Sequence, residues 1–293
     1  MSEQMSRFES LRHEALEKVR AGEIEGALPL YDAAYATAAD DEARELVRIN
    51  KADAMIAIAR SGPEVQELPM IVMRRRNPRH VYLASYALVF KYRTESELKR
   101  AAFYGQLALK TAEEAGETLW TVLALNELAS VYDMDSNFID AIACGEKAIA
   151  LLEQMDDREE HSFTYALALE NLGASKLLND EFAEGVTMIE RALPQTSSPS
   201  HRAEALIDLC FGYSGLDDFD RARRCGEAGL ELATEPRQVR NAHYLLGEIA
   251  YKTGDVELAE DHFDRLANFY PDFRHLKPLL FAIDLRSMVN LKL

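Results

Sequence analysis

Residues 241–271 read NAHYLLGEIAYKTGDVELAEDHFDRLANFYP. Apolar residues recur at helical spacing on both sides of Gly254-Asp255, so the stretch reads as two helices joined by a tight turn. Gly247 removes a side chain where two helix backbones approach closely, and Ala259 is the small residue expected to meet it. Gly254 tolerates the φ > 0 conformation that ends a helix, Asp255 can accept from the free N–H groups of the next, and Pro271 stops that second helix.

The same unit returns along the chain. The sixth copy places Leu206, Leu209, Cys210 and Tyr213 before Phe219, Ala222, Gly229 and Leu230, between Ser198-Pro199 and Glu235-Pro236. The fifth has Leu169, Leu172 and Gly173, then Phe182, Gly185, Ala192 and Leu193. The fourth has Leu125, Leu128, Ala129 and Tyr132, then Phe138, Ala141, Ala148 and Ile149. In the third, Asn77-Pro78 opens a helix to about Tyr92, Thr94-x-x-Glu97 reads as a capping box for its partner, and Gly116 ends it. Residues 41–76 are divergent: a helix over 41–60, then Gly62-Pro63 as stop and start, with Pro69 expected to kink the next helix or delay its start. The first copy has a helix over 7–20, Gly22 in the turn, then Ala27, Tyr31 and Ala34. The small residues Ala27, Ala101, Ala141, Gly185, Ala222 and Ala259 stand 74, 40, 44, 37 and 37 apart, and 74 is twice 37. The divergent segment fills that double interval, which gives seven helix pairs.

The Leu246-Gly247 pair, the Gly254-Asp255 turn and the Ala259, Phe263, Leu266 series before Pro271 resemble the tetratricopeptide repeat, a helix–turn–helix unit of about 34 residues. The longer spacing makes the chain similar to kinesin light chain-like arrays. The resemblance implies an all-α fold: a right-handed α-α superhelical solenoid of about seven pairs over 1–276, with a C-terminal capping helix in 277–293. That helix is expected over about 277–290, including Leu280, Ile283, Asp284 and Val289, and covers the apolar end of the array, with a dimer contact as the alternative. Gly105, Gly145 and Gly226 depart from the family pattern by replacing the usual aromatic of the second helix. Neighbouring residues must fill the space they leave.

Composition narrows the function classes. Fifty Asp and Glu against 33 Lys and Arg give a net charge of −17, which disfavours nucleic acid, since a phosphate backbone needs a broad basic face. Residues 67–110 hold nine basic against three acidic residues, and 111–200 hold four against eighteen. The start, MSEQMSRFES, lacks a signal-peptide pattern, and the longest apolar runs are far short of the ~20 residues of a membrane span. The expectation is a cytoplasmic protein with no membrane partner, and a monomer over a dimer. Cys144, Cys210 and Cys225 have no metal-ligand spacing and read as reduced thiols; Cys-Gly-Glu recurs at 144 and 225 because the repeat recurs. His161 reads as a cap for the helix after it. No phosphate-binding glycine loop, HExxH or GxSxG is present, so no catalytic residue, metal or cofactor is expected.

In proteins that such repeats resemble, the first helix of each pair lines the concave surface. Positions around the Leu-Gly pair or its equivalent, and about a turn before it, select Glu127, Glu170, Asn171, Glu204, Asp208, Phe211, Tyr244 and Glu248. Asn126 stands beside Glu127, and the third repeat adds Tyr86, Phe90 and Arg93. A carboxamide offers both donor and acceptor, so Asn171 and, less directly, Asn126 are suited to hold a peptide backbone. The expectation is a protein- or peptide-binding scaffold whose partner is an extended, basic segment. The alternative is a regulatory sensor that changes curvature on binding a peptide or small ligand. A third reading, an enzyme with an unrecognised site in the groove, would need a buried cluster of perturbed titratable groups.

Overall fold

The structure, a computed structural model, describes residues 3–155, 161–196, 198–270, 273–281 and 290–292. Every regular element among them is helical. The chain divides into two compact units, Met1–Val131 and Tyr132–Leu293. The first holds α1 (Glu3–Arg20), α2 (Ile24–Thr37), α3 (Asp41–Ala57), α4 (Pro63–Arg74), α5 (Pro78–Thr94), α6 (Leu98–Ala115) and most of α7 (Thr118–Met134). The second holds the end of α7, then α8 (Phe138–Glu153), α9 (Ser162–Leu178), α10 (Phe182–Ala192), α11 (Pro199–Gly215), α12 (Phe219–Leu232), α13 (Pro236–Lys252), α14 (Val256–Arg265) and α15 (Phe273–Leu280). Within each unit helices pack as consecutive pairs, α1 on α2 and α5 on α6 in one, α9 on α10, α11 on α12 and α13 on α14 in the other. First helices of adjacent repeats also touch, α3 with α5 and α11 with α13.

The turn inside each pair is the most regular feature of the chain. A residue with positive φ stands at Gly22, Ala59, Ser96, Ser136, Asp180, Asp217 and Gly254, so the turns recur every 37 to 44 residues. After each, the next N–H reaches back to the carbonyl five residues earlier: Glu23 to Lys18, Arg60 to Met55, Glu97 to Tyr92, Asn137 to Tyr132, Glu181 to Lys176, Asp218 to Tyr213 and Asp255 to Ala250, all at 2.8 or 2.9 Å. This closure satisfies carbonyls that the helix end leaves open. Ala59 fixes the register of the divergent second repeat, 37 residues from both Gly22 and Ser96. Its core, with Ile49, Ala52, Val65, Leu68 and Ile71, is as buried as its neighbours'.

Close approach between helices follows two patterns. Within the fifth pair, a Cβ on Gly173 would stand 2.9 Å from the Gly185 carbonyl oxygen, so the backbones touch there. Between repeats, a Cβ on Gly105 would meet Leu128 at 2.7 Å, one on Gly145 would meet Leu172 at 3.0 Å, and one on Gly226 would meet Leu246 at 2.8 Å. The glycines that replace an aromatic therefore receive the leucine of the following repeat.

Several local expectations are corrected. Phe263, not Ala259, takes the space beside Gly247: a Cβ there would stand 2.5 Å from the Phe263 ring. Thr94 closes α5 and donates to the Lys91 carbonyl, and Glu97 precedes α6 without a side-chain cap, because Ser96 in the left-handed conformation makes the turn. His161 likewise precedes α9 without capping it. Pro69 lies inside α4, which starts at Pro63. Among the described residues the final helix is Phe273–Leu280, and Asn290–Lys292 is not helical; most of the helix expected over 277–290, with Ile283, Asp284 and Val289, lies outside the described residues. Phe281 sets its ring edge-on to Phe263 and Tyr251 of the last pair, with centroids 5.2 and 5.1 Å away.

Candidate functional site

In the second unit the first helices bring four carboxylates to one place. Glu204 and Asp208 stand one turn apart on α11, Glu170 comes from α9, and Asp133 from the last turn of α7. On α13, Arg237 and Asn241 repeat the one-turn spacing. The Arg237 guanidinium forks onto Glu204, with both N–H···O contacts at 2.9 Å. That two-pronged geometry holds a carboxylate better than a single contact would.

The chain's own residues 290–292 lie against this face. The Lys292 ammonium donates to Asp208 at 2.8 Å and to Glu204 at 2.9 Å. The Leu291 carbonyl accepts from Asn241 Nδ2 at 2.7 Å and from Arg237 at 3.0 Å. The Leu291 side chain is 2 % exposed and joins the core formed by α11, α13 and α14. Asn290 donates from Nδ2 to the Asp133 carbonyl at 2.5 Å, while its Oδ1 accepts from the Lys292 N–H at 2.9 Å. The three residues thus form an asparagine-closed turn, held by backbone, by an apolar side chain and by a charge.

Burial and crowding set the charge states. Burial, then the charges of Asp208 and Glu204, push Glu170 up to about 8, against the pull of Lys292. Burial pushes Asp133 up to about 7, although Ser175 donates to it at 2.7 Å. Glu204 is also buried, yet Lys292 and Arg237 hold it down at about 2. Asp208 is raised by burial and by the Glu204 charge, with Lys292 opposing. Three of the four carboxylates are therefore shifted toward the neutral form, and Glu204, held by Lys292 and Arg237, is the one kept anionic.

The other expected site residues distribute as follows. Asn171 is half-buried beside Glu170, and its carbonyl accepts from Ser175 at 3.0 Å. Phe211 is in the core, edge-on to Phe182 at 5.7 Å. Tyr244 is buried in the same core, and Glu248, also buried, pairs with Lys252 at 2.5 Å. In the first unit, Glu127 accepts from Tyr86 at 3.4 Å and lies 3.5 Å from Arg93, which also donates to Ser130 at 2.8 Å and covers the Phe90 ring at 5.3 Å. Asn126 is buried, and neither its oxygen nor its nitrogen has a hydrogen-bond partner among the described residues. Arg237, Asn241, Asp133 and Lys292 escaped the sequence reading. Asn241 was within reach of it: it precedes Gly247 by the same six residues that separate Glu204 from Cys210.

No protein-family model matches the sequence, and no match is found among curated proteins. Solved structures do match. The apo form of the quorum sensor NprR from B. thuringiensis superposes with a TM-score of 0.69 at 16 % identity, over 96 % of this chain and 82 % of that one. NprR in complex with its cognate peptide NprX gives 0.65 at 16 % identity, over 95 % and 84 %. A tetratricopeptide repeat protein from Parabacteroides merdae gives 0.56 at 13 % identity, over 97 % and 100 %. The fold is that of the tetratricopeptide-repeat solenoids.

Proposed function

We propose that the chain is a peptide-binding module whose site is the acidic face of α9, α11 and α13. One observation carries this reading: that face already holds a short peptide segment, by a main-chain carbonyl on Asn241 and Arg237 and by a lysine between Glu204 and Asp208. Recognition of a carbonyl is indifferent to side chains and gives grip, whereas paired carboxylates demand a cation. A basic protein segment is the partner that supplies both. The solved structure of NprR with its peptide supports the same use of a similar fold. Asn171 and Glu170 extend the site along α9, and Asn126, Tyr86, Phe90 and Arg93 form a second contact region in the first unit. The reading takes the protein to be a cytoplasmic monomer that binds protein and not nucleic acid or membrane. Its charge of −17 repels phosphate, and no described helix is long and apolar enough to cross a membrane.

The raised carboxylates Glu170 and Asp133 favour one competing reading, catalysis in the groove. Their shifts follow from burial beside other acids, and the Glu204–Asp208 pair at the centre is engaged by Lys292 and Arg237. The experiment is a titration with Lys/Arg-rich and Asp/Glu-rich peptides at low and high salt. Tighter binding of the basic peptide, weakening as salt rises, is the expected result. Equal or tighter binding of the acidic peptide rejects the site, and turnover of the bound peptide would install the competing reading.

A further inference from the structure

We infer that residues 290–292 are a tethered internal ligand of this site, and that a partner docks by presenting the same asparagine–apolar–lysine turn and displacing them. The inference rests on the peptide-binding reading and adds to it a ligand chemistry and a gate.

Each element of the segment answers a distinct feature of the face. Lys292 bridges two acids that come from one helix, and a third carboxyl group, Glu170, crowds them from α9. Leu291 enters the core and is as buried as the leucines of the helices around it. Its carbonyl takes two donors, one of them charged. Asn290 serves twice: Oδ1 closes the turn onto the Lys292 N–H, and Nδ2 donates to the Asp133 carbonyl and lies 3.3 Å from Ser136 Oγ. Aspartate could close the turn but could not donate to that carbonyl, so the face reads asparagine at this position. Arginine could meet the carboxylates, but the site offers an ammonium two oxygens from different residues on α11 and spends the planar fork on Arg237 and Glu204.

These contacts tie positions 290–292 to residues 50 to 157 positions earlier in the chain. Such contacts close with the segment covalently attached to α15, so a free peptide competes with a ligand that never dilutes. Effective concentrations for short tethers are about millimolar, so a peptide with an intrinsic dissociation constant of about 0.1 mM should bind about tenfold more weakly while the segment is in place.

The test uses the full chain and an end-blocked, fluorescently labelled peptide, Val-Asn-Leu-Lys-Leu. Fluorescence anisotropy compares the unmodified chain with Lys292→Glu. A second variant, Asn290→Ala, removes the turn closure but keeps the leucine and the lysine, and serves if Lys292→Glu does not fold. Each is checked by its unfolding midpoint. Binding about tenfold tighter to either folded variant than to the unmodified chain is expected, with no binding of the peptide carrying glutamate in place of lysine. Equal affinity for unmodified chain and variants overturns the tethered ligand and leaves the peptide site standing. Failure of this peptide and of every Lys/Arg-rich peptide to bind any form overturns the peptide site, and the gate with it.

Discussion

Gly173 and Gly185 face each other so closely that a Cβ on Gly185 would stand 2.7 Å from the Gly173 carbonyl oxygen. Real side chains do not tolerate that distance from backbone. Gly173→Leu should therefore destabilise the protein by about 1–3 kcal/mol through overpacking. Gly26 is the contrast: a Cβ there meets only the flexible Lys18 side chain, at 3.5 Å or beyond. Gly26→Ala should raise stability by about 0.5–1 kcal/mol, because α2 gains a better helix former. Urea denaturation of both variants checks the pair, and an unchanged midpoint for Gly173→Leu would refute the close approach.

The acids of the site should make stability depend on pH in a definite direction. Glu170 and Asp133 are raised to about 8 and 7 when folded, so the folded state holds protons that the unfolded chain releases. Their contribution is greatest at low pH and is lost as pH rises through these values. His243 is lowered to about 4 by burial and by His262, 3.1 Å away, so its contribution runs the other way and fades as pH falls below about 6.5. Stability should therefore rise on going from pH 8.5 to 6.5 and rise less steeply below, where His243 opposes the two carboxylates. Glu170→Gln, which mimics the protonated side chain beside Asp208, Glu204 and Lys292, should reduce the rise. Melting temperatures across this range decide it; an unaltered slope in Glu170→Gln would place the proton elsewhere.

The two asparagines should separate binding from stability. Asn171→Ala should weaken a basic peptide without moving the unfolding midpoint, since no described contact uses its carboxamide. Asn126 is buried without a described partner, so an apolar residue of similar shape loses no bond there. Asn126→Leu should leave stability unchanged or raise it by about 1 kcal/mol. A loss of stability there would reveal a structural role for that carboxamide, and an unaffected affinity in Asn171→Ala would remove α9 from the site.

Removing 277–293 should do more than removing 290–293. The longer deletion strips Phe281 from Phe263 and Tyr251 and uncovers the end of the last pair. Exposed apolar ends associate, so a new dimer or aggregate is expected by light scattering. The shorter deletion leaves Phe281 in place, exposes the acidic face and the one apolar site that Leu291 fills, and should stay in the parent's oligomeric state. A longer deletion that behaves like the parent would show that Phe281 is no cap.

What could be read from the sequence was whatever repeats. Ala27, Ala101 and their successors gave seven pairs because small residues must recur where helices meet. The turns were harder: Ser96, Asp180 and Asp217 adopt the same left-handed conformation as Gly254 without announcing it, and Thr94 imitated a cap. Glu204 and Asp208 were found because they sit at a regular position on α11. Lys292 could not be, since its partners lie 84 and 88 positions away and no periodicity connects a turn to a helix face. Phe211 was misplaced for a simpler reason: one position's rotation on a helix moves a side chain by about 100°, from the groove into the core.

The leucines that enter the preceding repeat's glycines give three junctions of the array a polarity. Leu128 reaches back to Gly105, Leu172 to Gly145 and Leu246 to Gly226, each from the later repeat to the earlier, whereas between the fifth and sixth repeats Val186 and Phe182 reach forward to Gly212 and Gly215. Nearest-neighbour cohesion in such a chain is therefore not symmetric about a repeat. Cutting after a repeat empties a socket that nothing upstream can refill, whereas cutting before one leaves only a plug without its socket, free to fold down on the new surface. Versions cut at these three junctions should consequently survive loss of repeats from the front better than from the back, and a ribosome making the chain must there wait for the next repeat before the last one closes.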